Sequence, residues 1–115
     1  LTYHICKHAG LDCALVGNIG ISIAKQVALD PKEIYVAEIS SFQLDDIKDF
    51  RAEIAVLTNI TEDHLDRYEY KFENYIKAKF KITQNQTAGD VFIYCADDPV
   101  TVKYLNKLTL NSNPL

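Results

Sequence analysis

Four short apolar runs limit what this chain can fold into: "CALV" (13–16), "IYVAEIS" (34–40), "IAVLTN" (54–59) and "VFIYC" (91–95). Each is strand-length rather than helix-length, and its apolar positions run on instead of alternating with polar ones. That is the pattern of a strand buried on both faces. Between the runs lie segments of helical spacing. Leu1 to Ala9 is short and weakly helical, and Gly10 suits its end. "ISIAKQVAL" (21–29) is helical by period and is closed by Asp30-Pro31. A long helix is expected from about Tyr70 to Gln86, and Pro99 can open a last one through about Lys107. Strand–helix alternation of this kind predicts an α/β fold, a mostly parallel sheet with helices on both faces.

With 115 residues the chain has the size of one domain, and it shows no repeat, low-complexity tract or internal linker. Its net charge of −4 comes from interspersed acidic and basic residues, so no basic stripe points to nucleic acid. No apolar run approaches the length of a membrane span. Three cysteines, Cys6, Cys13 and Cys95, include no CxxC pair, which argues against a cysteine zinc or redox site. Cys13 and Cys95 lie in apolar runs and read as free buried thiols, which fits a reducing, cytoplasmic setting. The chain opens on Leu1 and contains no methionine, and is therefore read as a piece of a longer protein.

In open parallel sheets, ligands bind at the carboxyl ends of the strands. Three strand ends here carry unusual polar sequence: "GNIG" (17–20), "EISSFQ" (38–43) and "TNITEDH" (58–64). Gly17 and Gly20 let the backbone turn tightly and approach a ligand, and Asn18 can donate and accept hydrogen bonds. A plain strand-to-helix turn would use the same residues. Glu38 interrupts an apolar strand, so its carboxylate must be paired, bind a metal or reach water. Ser40, Ser41 and Gln43 could hydrogen-bond a polar substrate or phosphate, or merely satisfy backbone groups. Thr61 is expected to N-cap a short helical turn over Glu62–Asp63–His64. His64 stays unexplained by that turn. Facing a carboxylate such as Glu38, it could ligate a metal or bind phosphate, and it could equally be structural.

In the long helix, Phe72, Tyr75, Ile76, Phe80 and Thr83 make one apolar face. Lys79 falls in the middle of that face, whereas Lys77 and Lys81 lie about 200° away and are expected to point to water. A lysine so placed either lays its stem on the face and sends its ammonium out to solvent, or is a buried, reactive amine. A neutral amine can take up CO₂ as a carbamate, turning a cation into an oxygen ligand suited to Mg²⁺.

Taken in order, "GNIG" (17–20), "EISSFQLD" (38–45), "AVLTNITEDHLDRY" (55–68), "YIKAKFKI" (75–82) and "ADDPVT" (96–101) resemble the central ATP-binding domain of the Mur ligases. The "SSFQL" element is similar to that of the branch adding D-glutamate. The resemblance implies a partial Rossmann-like, P-loop NTPase-type domain over residues 1–115, with its first strand and phosphate loop missing. The N-terminal UDP-binding and C-terminal amino-acid-binding domains would also be absent. It implies an ATP- and Mg²⁺-dependent ligase of peptidoglycan synthesis that joins D-glutamate to UDP-N-acetylmuramoyl-L-alanine through an acyl phosphate. Glu38 and His64 match Mg²⁺-holding positions, and Lys79 matches the lysine carbamylated in the family, where the carbamate contacts a second Mg²⁺. Asn18, Ser40 and Gln43 match substrate-contacting positions. Asn59 and Asp63 match polar positions lining the strand end, and Tyr75 packs or hydrogen-bonds near the site. The Gly-rich phosphate loop is not in the chain, so the isolated piece is expected to be inactive, with Lys79 unmodified or poorly modified. Cys95 stands where the family would have Asn, and Ile21 and Ser22 where many members have Pro. The full-length protein is expected to be a monomer, while a piece without its first strand exposes an edge through which copies can pair. Two other readings stand beside this one: a sister ligase, such as one extending folate with glutamate, and a non-catalytic α/β binding module.

Overall fold

Every strand pair in the chain is parallel, as the continuous apolar runs lead one to expect. The computed structural model describes residues 1–115 as two units, Leu1–Ser40 and Ser41–Leu115. The first unit contains α1 (Thr2–His8), β1 (Cys13–Gly17), α2 (Ile23–Leu29) and β2 (Ile34–Glu38). β1 and β2 pair from Cys13 opposite Ile34 to Gly17 opposite Glu38. Ala14 and Val16 are the buried side chains of β1. Ser22 starts α2, its hydroxyl accepting from the Lys25 amide at 3.3 Å, and Asp30 with Pro31 ends it. Neither α1 nor α2 buries a side chain fully.

The second unit contains α3 (Ser41–Asp45), β3 (Ile54–Leu57), α4 (Phe72–Phe80), β4 (Val91–Tyr94), α5 (Pro99–Leu105) and β5 (Asn113–Pro114). Its sheet runs in the order β3-β4-β5. Ala55, Leu57 and Phe92 meet Tyr75, Ile76 and Phe80 of α4 in the core. The long helix is shorter than expected at both ends. Glu69 and Tyr70 take left-handed backbone angles (φ 57° and 55°), which no α-helix accommodates, so α4 begins at Phe72. At the other end it tightens into a 3-10 turn over Lys81–Thr83, where the Thr83 hydroxyl donates back to the Phe80 carbonyl at 2.8 Å. The apolar face is as expected: Tyr75, Ile76, Phe80 and Thr83 are buried and Phe72 is half-buried.

Two elements have no counterpart in the sequence reading, α3 and the two-residue β5. β3 also differs in burial. Ala55 and Leu57 face the core, but Ile54 is 66 % and Val56 53 % exposed, so one face of this strand lies open. The cysteines are free but half-buried rather than buried. Cys13 opens β1 and Cys95 follows the last residue of β4, and strand ends are covered less than strand middles. No helix is long and apolar enough to cross a membrane.

Candidate metal and phosphate site

In the first unit the "GNIG" turn is built by close approach. Gly17 has φ 103°, and a Cβ placed there would stand 2.2 Å from the Glu38 carbonyl oxygen. At Gly20 (φ 91°) a Cβ would stand 2.6 Å from the carbonyl oxygen of Leu15. Both positions therefore need glycine for two reasons, sterics and backbone angle. The turn brings Asn18 and Glu38 together at one strand end, the Asn18 amide donating to the Glu38 carbonyl at 2.8 Å. Both side chains are exposed. Glu38 therefore interrupts an apolar strand at its last residue, where water reaches the carboxylate. Ser40 closes this unit and is half-buried.

In the second unit the stretch after β3 is not the capped turn expected at Thr61. Residues 61–64 form no helix; a 3-10 turn lies further on, over Leu65–Tyr68, and His64 precedes it in left-handed geometry (φ 51°, ψ 29°). Asp63 holds that bend, its Oδ1 accepting from the His64 amide at 2.8 Å and its Oδ2 lying 3.4 Å from His64 Nε2. A carboxylate side chain thus satisfies the backbone locally and displaces the expected turn. The imidazole is exposed and meets the Phe42 ring at 5.1 Å between centroids.

Lys79 is half-buried, with Nζ 4.9 Å above the centroid of the buried Tyr75 ring. Its ammonium lies on an aromatic face rather than against a carboxylate, an arrangement contributing roughly 0.5–1 kcal/mol at a partly exposed site. Of its two neighbours, Lys77 points to water as expected and pairs with Glu73 at 3.5 Å. Lys81 does not: it is half-buried and its Nζ donates to both the carbonyl and the carboxylate of Asp45, each at 3.0 Å. The overlooked helix α3 supplies that partner.

Asn59 is exposed, and its Oδ1 accepts from the Thr58 hydroxyl at 3.3 Å. Next to it, the Ile60 amide donates to Asp98 Oδ2 at 3.2 Å, 38 residues away. Asp98 also caps α5, accepting from the Thr101 amide at 3.0 Å and from the Thr101 hydroxyl. One carboxylate thereby fixes the loop after β3 to the start of α5. Burial pushes its pKa up, but hydrogen bonds from Thr101, Ile60 and Val100 outweigh that and hold it below 3.8. Gln43 lies exposed on α3, next to Phe42. Tyr68 donates to Asp45 Oδ2 at 3.0 Å. Burial first, and Asp45 after it, raise the Tyr68 hydroxyl above the usual phenol range against an opposing hydrogen bond with Ser41.

Sequence reasoning did not single out Phe42, Asp45, Tyr68 or Asp98. For Asp98 a signal was present: an Asp immediately before Pro99 is a helix-start pattern. No group of three or more His, Cys, Asp or Glu residues is gathered closely enough to hold a metal alone. In the first unit Asn18 and Glu38 lie exposed at the ends of parallel strands, where open α/β sheets bind ligands; in the second, Asn59 follows β3 and His64 lies exposed further along the same loop.

The class follows from comparison with known proteins. Residues 1–114 match the Mur ligase middle domain, and the chain belongs to that family. Its relatives narrow the likeness further. It is 59 % identical over 107 residues to the UDP-N-acetylmuramoylalanine–D-glutamate ligase of Bacteroides fragilis, covering 93 % of this chain and 24 % of that protein. With the protein of the same name from Porphyromonas gingivalis it shares 55 % over 103 residues, 90 % of this chain and 23 % of that one. With that from Christiangramia forsetii it shares 51 % over 115 residues, 100 % of this chain and 26 % of that one. The chain thus spans about a quarter of the length of the curated relatives it matches.

Proposed function

We propose that residues 1–115 form part of the middle, ATP-handling domain of a cytoplasmic ligase that joins D-glutamate to UDP-N-acetylmuramoyl-L-alanine in peptidoglycan synthesis. A UDP-binding domain would precede it and an amino-acid-binding domain follow it. The observation carrying this reading is identity of 51–59 % with ligases of that name over nearly the whole chain.

The donor set suits Mg²⁺ beside ATP. Mg²⁺ dehydrates reluctantly and is commonly held by one or two carboxylates together with substrate phosphates, and the exposed Glu38 carboxylate and His64 imidazole are donors that can serve beside such phosphates. Glu38 and His64 would hold the ion, with Asp63 keeping the imidazole in place. Bound there, the cation supplies charge neutralisation between ATP and the substrate carboxylate, the main obstacle to phosphoryl transfer. Lys79 would take up CO₂: its neutral amine forms an N–C bond, releases a proton and becomes an anionic oxygen donor. Asn18, Ser40 and Gln43 would contact the uridine-nucleotide substrate, and Asn59 would line the strand end. The phosphate of the activated carboxylate leaves when the D-glutamate amine attacks, so no serine or cysteine nucleophile is required. No Gly-rich loop ending in Gly-Lys-Ser/Thr occurs in these residues, so the isolated chain is expected to be inactive.

The test is phosphate release by the full-length protein containing this chain, given MgATP, UDP-N-acetylmuramoyl-L-alanine and one amino acid at a time. Release with D-glutamate only, falling about a hundredfold or more in His64→Ala and in Lys79→Ala, is the expected result. Release with L-lysine, diaminopimelate or L-alanine instead would make it a sister ligase. No release with any amino acid would leave a non-catalytic module.

A further inference from the structure

His64 and Lys79 stand 15 positions apart in sequence, yet a continuous line of rings joins them. The imidazole meets Phe42 at 5.1 Å, with planes tilted by 58°. Phe42 stacks on Tyr68 at 6.0 Å with planes 7° apart. Tyr68 meets Tyr75 at 5.3 Å, tilted by 59°. The Tyr75 ring then lies beneath Lys79 Nζ at 4.9 Å. The inner rings are fixed. Tyr68 and Tyr75 are 7 % and 5 % exposed, and the Tyr68 hydroxyl is tied to Asp45, which Lys81 holds in turn.

Phe42 is the odd member, because ordinary core filling does not explain its place. It is 38 % exposed and contacts two charged or chargeable groups, the His64 imidazole and the Arg67 guanidinium, the latter 5.5 Å from its centroid. His64 itself has a left-handed backbone, an Asp63 carboxylate beside Nε2 and the Phe42 ring as its aromatic contact. A side chain at an exposed loop normally samples several rotamers, and ordering one costs free energy. Here the Asp63 carboxylate and the Phe42 ring are the contacts that restrict the imidazole.

We propose that Phe42 and Tyr68 are positioning residues that hold the His64 imidazole in place, so that a divalent cation with nucleotide phosphates meets it preorganised. This rests on the proposed function for the identity of the ligand, while the spine is a property of this chain's own side chains. Outer groups that orient metal ligands characteristically change metal affinity about 10–100-fold when removed.

The experiment measures Mn²⁺ binding to the full-length protein in the presence of a non-hydrolysable ATP analogue, counting free Mn²⁺ by electron paramagnetic resonance. Thermal unfolding of each variant is recorded in parallel. Phe42→Leu is expected to keep its unfolding midpoint near the parent's and to weaken Mn²⁺ binding about tenfold. Phe42→Tyr, which restores the ring that Phe42→Leu removes, is expected to bind within about threefold of the parent, as is Tyr68→Phe, which keeps the ring it stacks on. Should Phe42→Leu fail to fold, Phe42→Met supplies similar apolar volume without a ring and carries the same expectation. A folded Phe42→Leu or Phe42→Met protein with parental Mn²⁺ affinity overturns the proposal. His64→Ala separates the two levels: if it lowers affinity while the Phe42 variants do not, positioning alone fails. If His64→Ala binds as the parent does, the site reading fails and the positioning role falls with it.

Discussion

Gly17 shows how much a single residue settles here. Its Cα faces the Glu38 carbonyl oxygen so closely that a methyl group would overlap it, and its φ of 103° is one that L-residues rarely adopt. Gly17→Ala is therefore expected to destabilise the protein by more than about 1 kcal/mol in urea unfolding. Wild-type stability in that variant would mean the turn after β1 does not approach β2 as described. At the same scale, His64 and Lys79 were singled out from sequence by being out of place, a histidine in a capping segment and a lysine in an apolar stripe. Their surroundings were not legible. Asp63 contacts His64 as a neighbour and could have been read from sequence. Phe42 comes from 22 positions away, and no local pattern announces such a contact.

Among the elements, the stretch after β3 is the polar strand end that its composition predicts, but it is not a turn capped by Thr61. Capping rules consider a side chain and the amides just after it. They do not weigh a carboxylate such as Asp63 bonding the next amide, or one such as Asp98 reaching Ile60 from the start of α5. Asp98 yields a prediction of its own. Asp98→Ala removes a helix cap and the tie to Ile60, and is expected to cost about 1–2 kcal/mol at neutral pH. Because the folded protein holds this carboxyl below 3.8, its contribution is complete above that value and is lost as pH falls through the lower folded one. Denaturant titrations across pH should thus show wild type and variant converging in acid. A gap that stays constant with pH would assign the loss to packing instead. The missed α3 and β5 have a plainer cause: five and two residues are too short to display a period, and they exist through contacts made elsewhere.

For the whole molecule, the open face of β3 and β4 matters most. Ile54, Val56 and Ile93 are exposed, and Val56 lies opposite Ile93 in the register, so these side chains form one apolar strip. Exposed strips of this kind drive association. The isolated 115-residue chain is expected to elute in gel filtration at sizes that grow with concentration, and Val56→Lys to suppress that growth. A monomer at every concentration would show that the strip is tolerated in water. The strip also bears on the expectation of helices covering both sheet faces, which came from the apolar character of "IAVL". Sequence reports that a side chain is suited to burial; it does not report which partner covers it.

By itself the sequence determined the α/β class, the parallel strands, the glycine turn, the helix face of Tyr75, Ile76 and Phe80, and the family motifs. All of these depend on residues a few positions apart, through backbone angle, side-chain period or an unbroken string of types. Only the tertiary structure decided that Asp98 joins the loop after β3 to α5, that Asp45 takes both Tyr68 and Lys81, and that three rings connect His64 to Lys79. Apart from the Tyr68–Tyr75 pair, these contacts join residues more than about twenty positions apart. Their partners are chosen by how strands and helices pack in space, and spacing along the chain does not encode that choice.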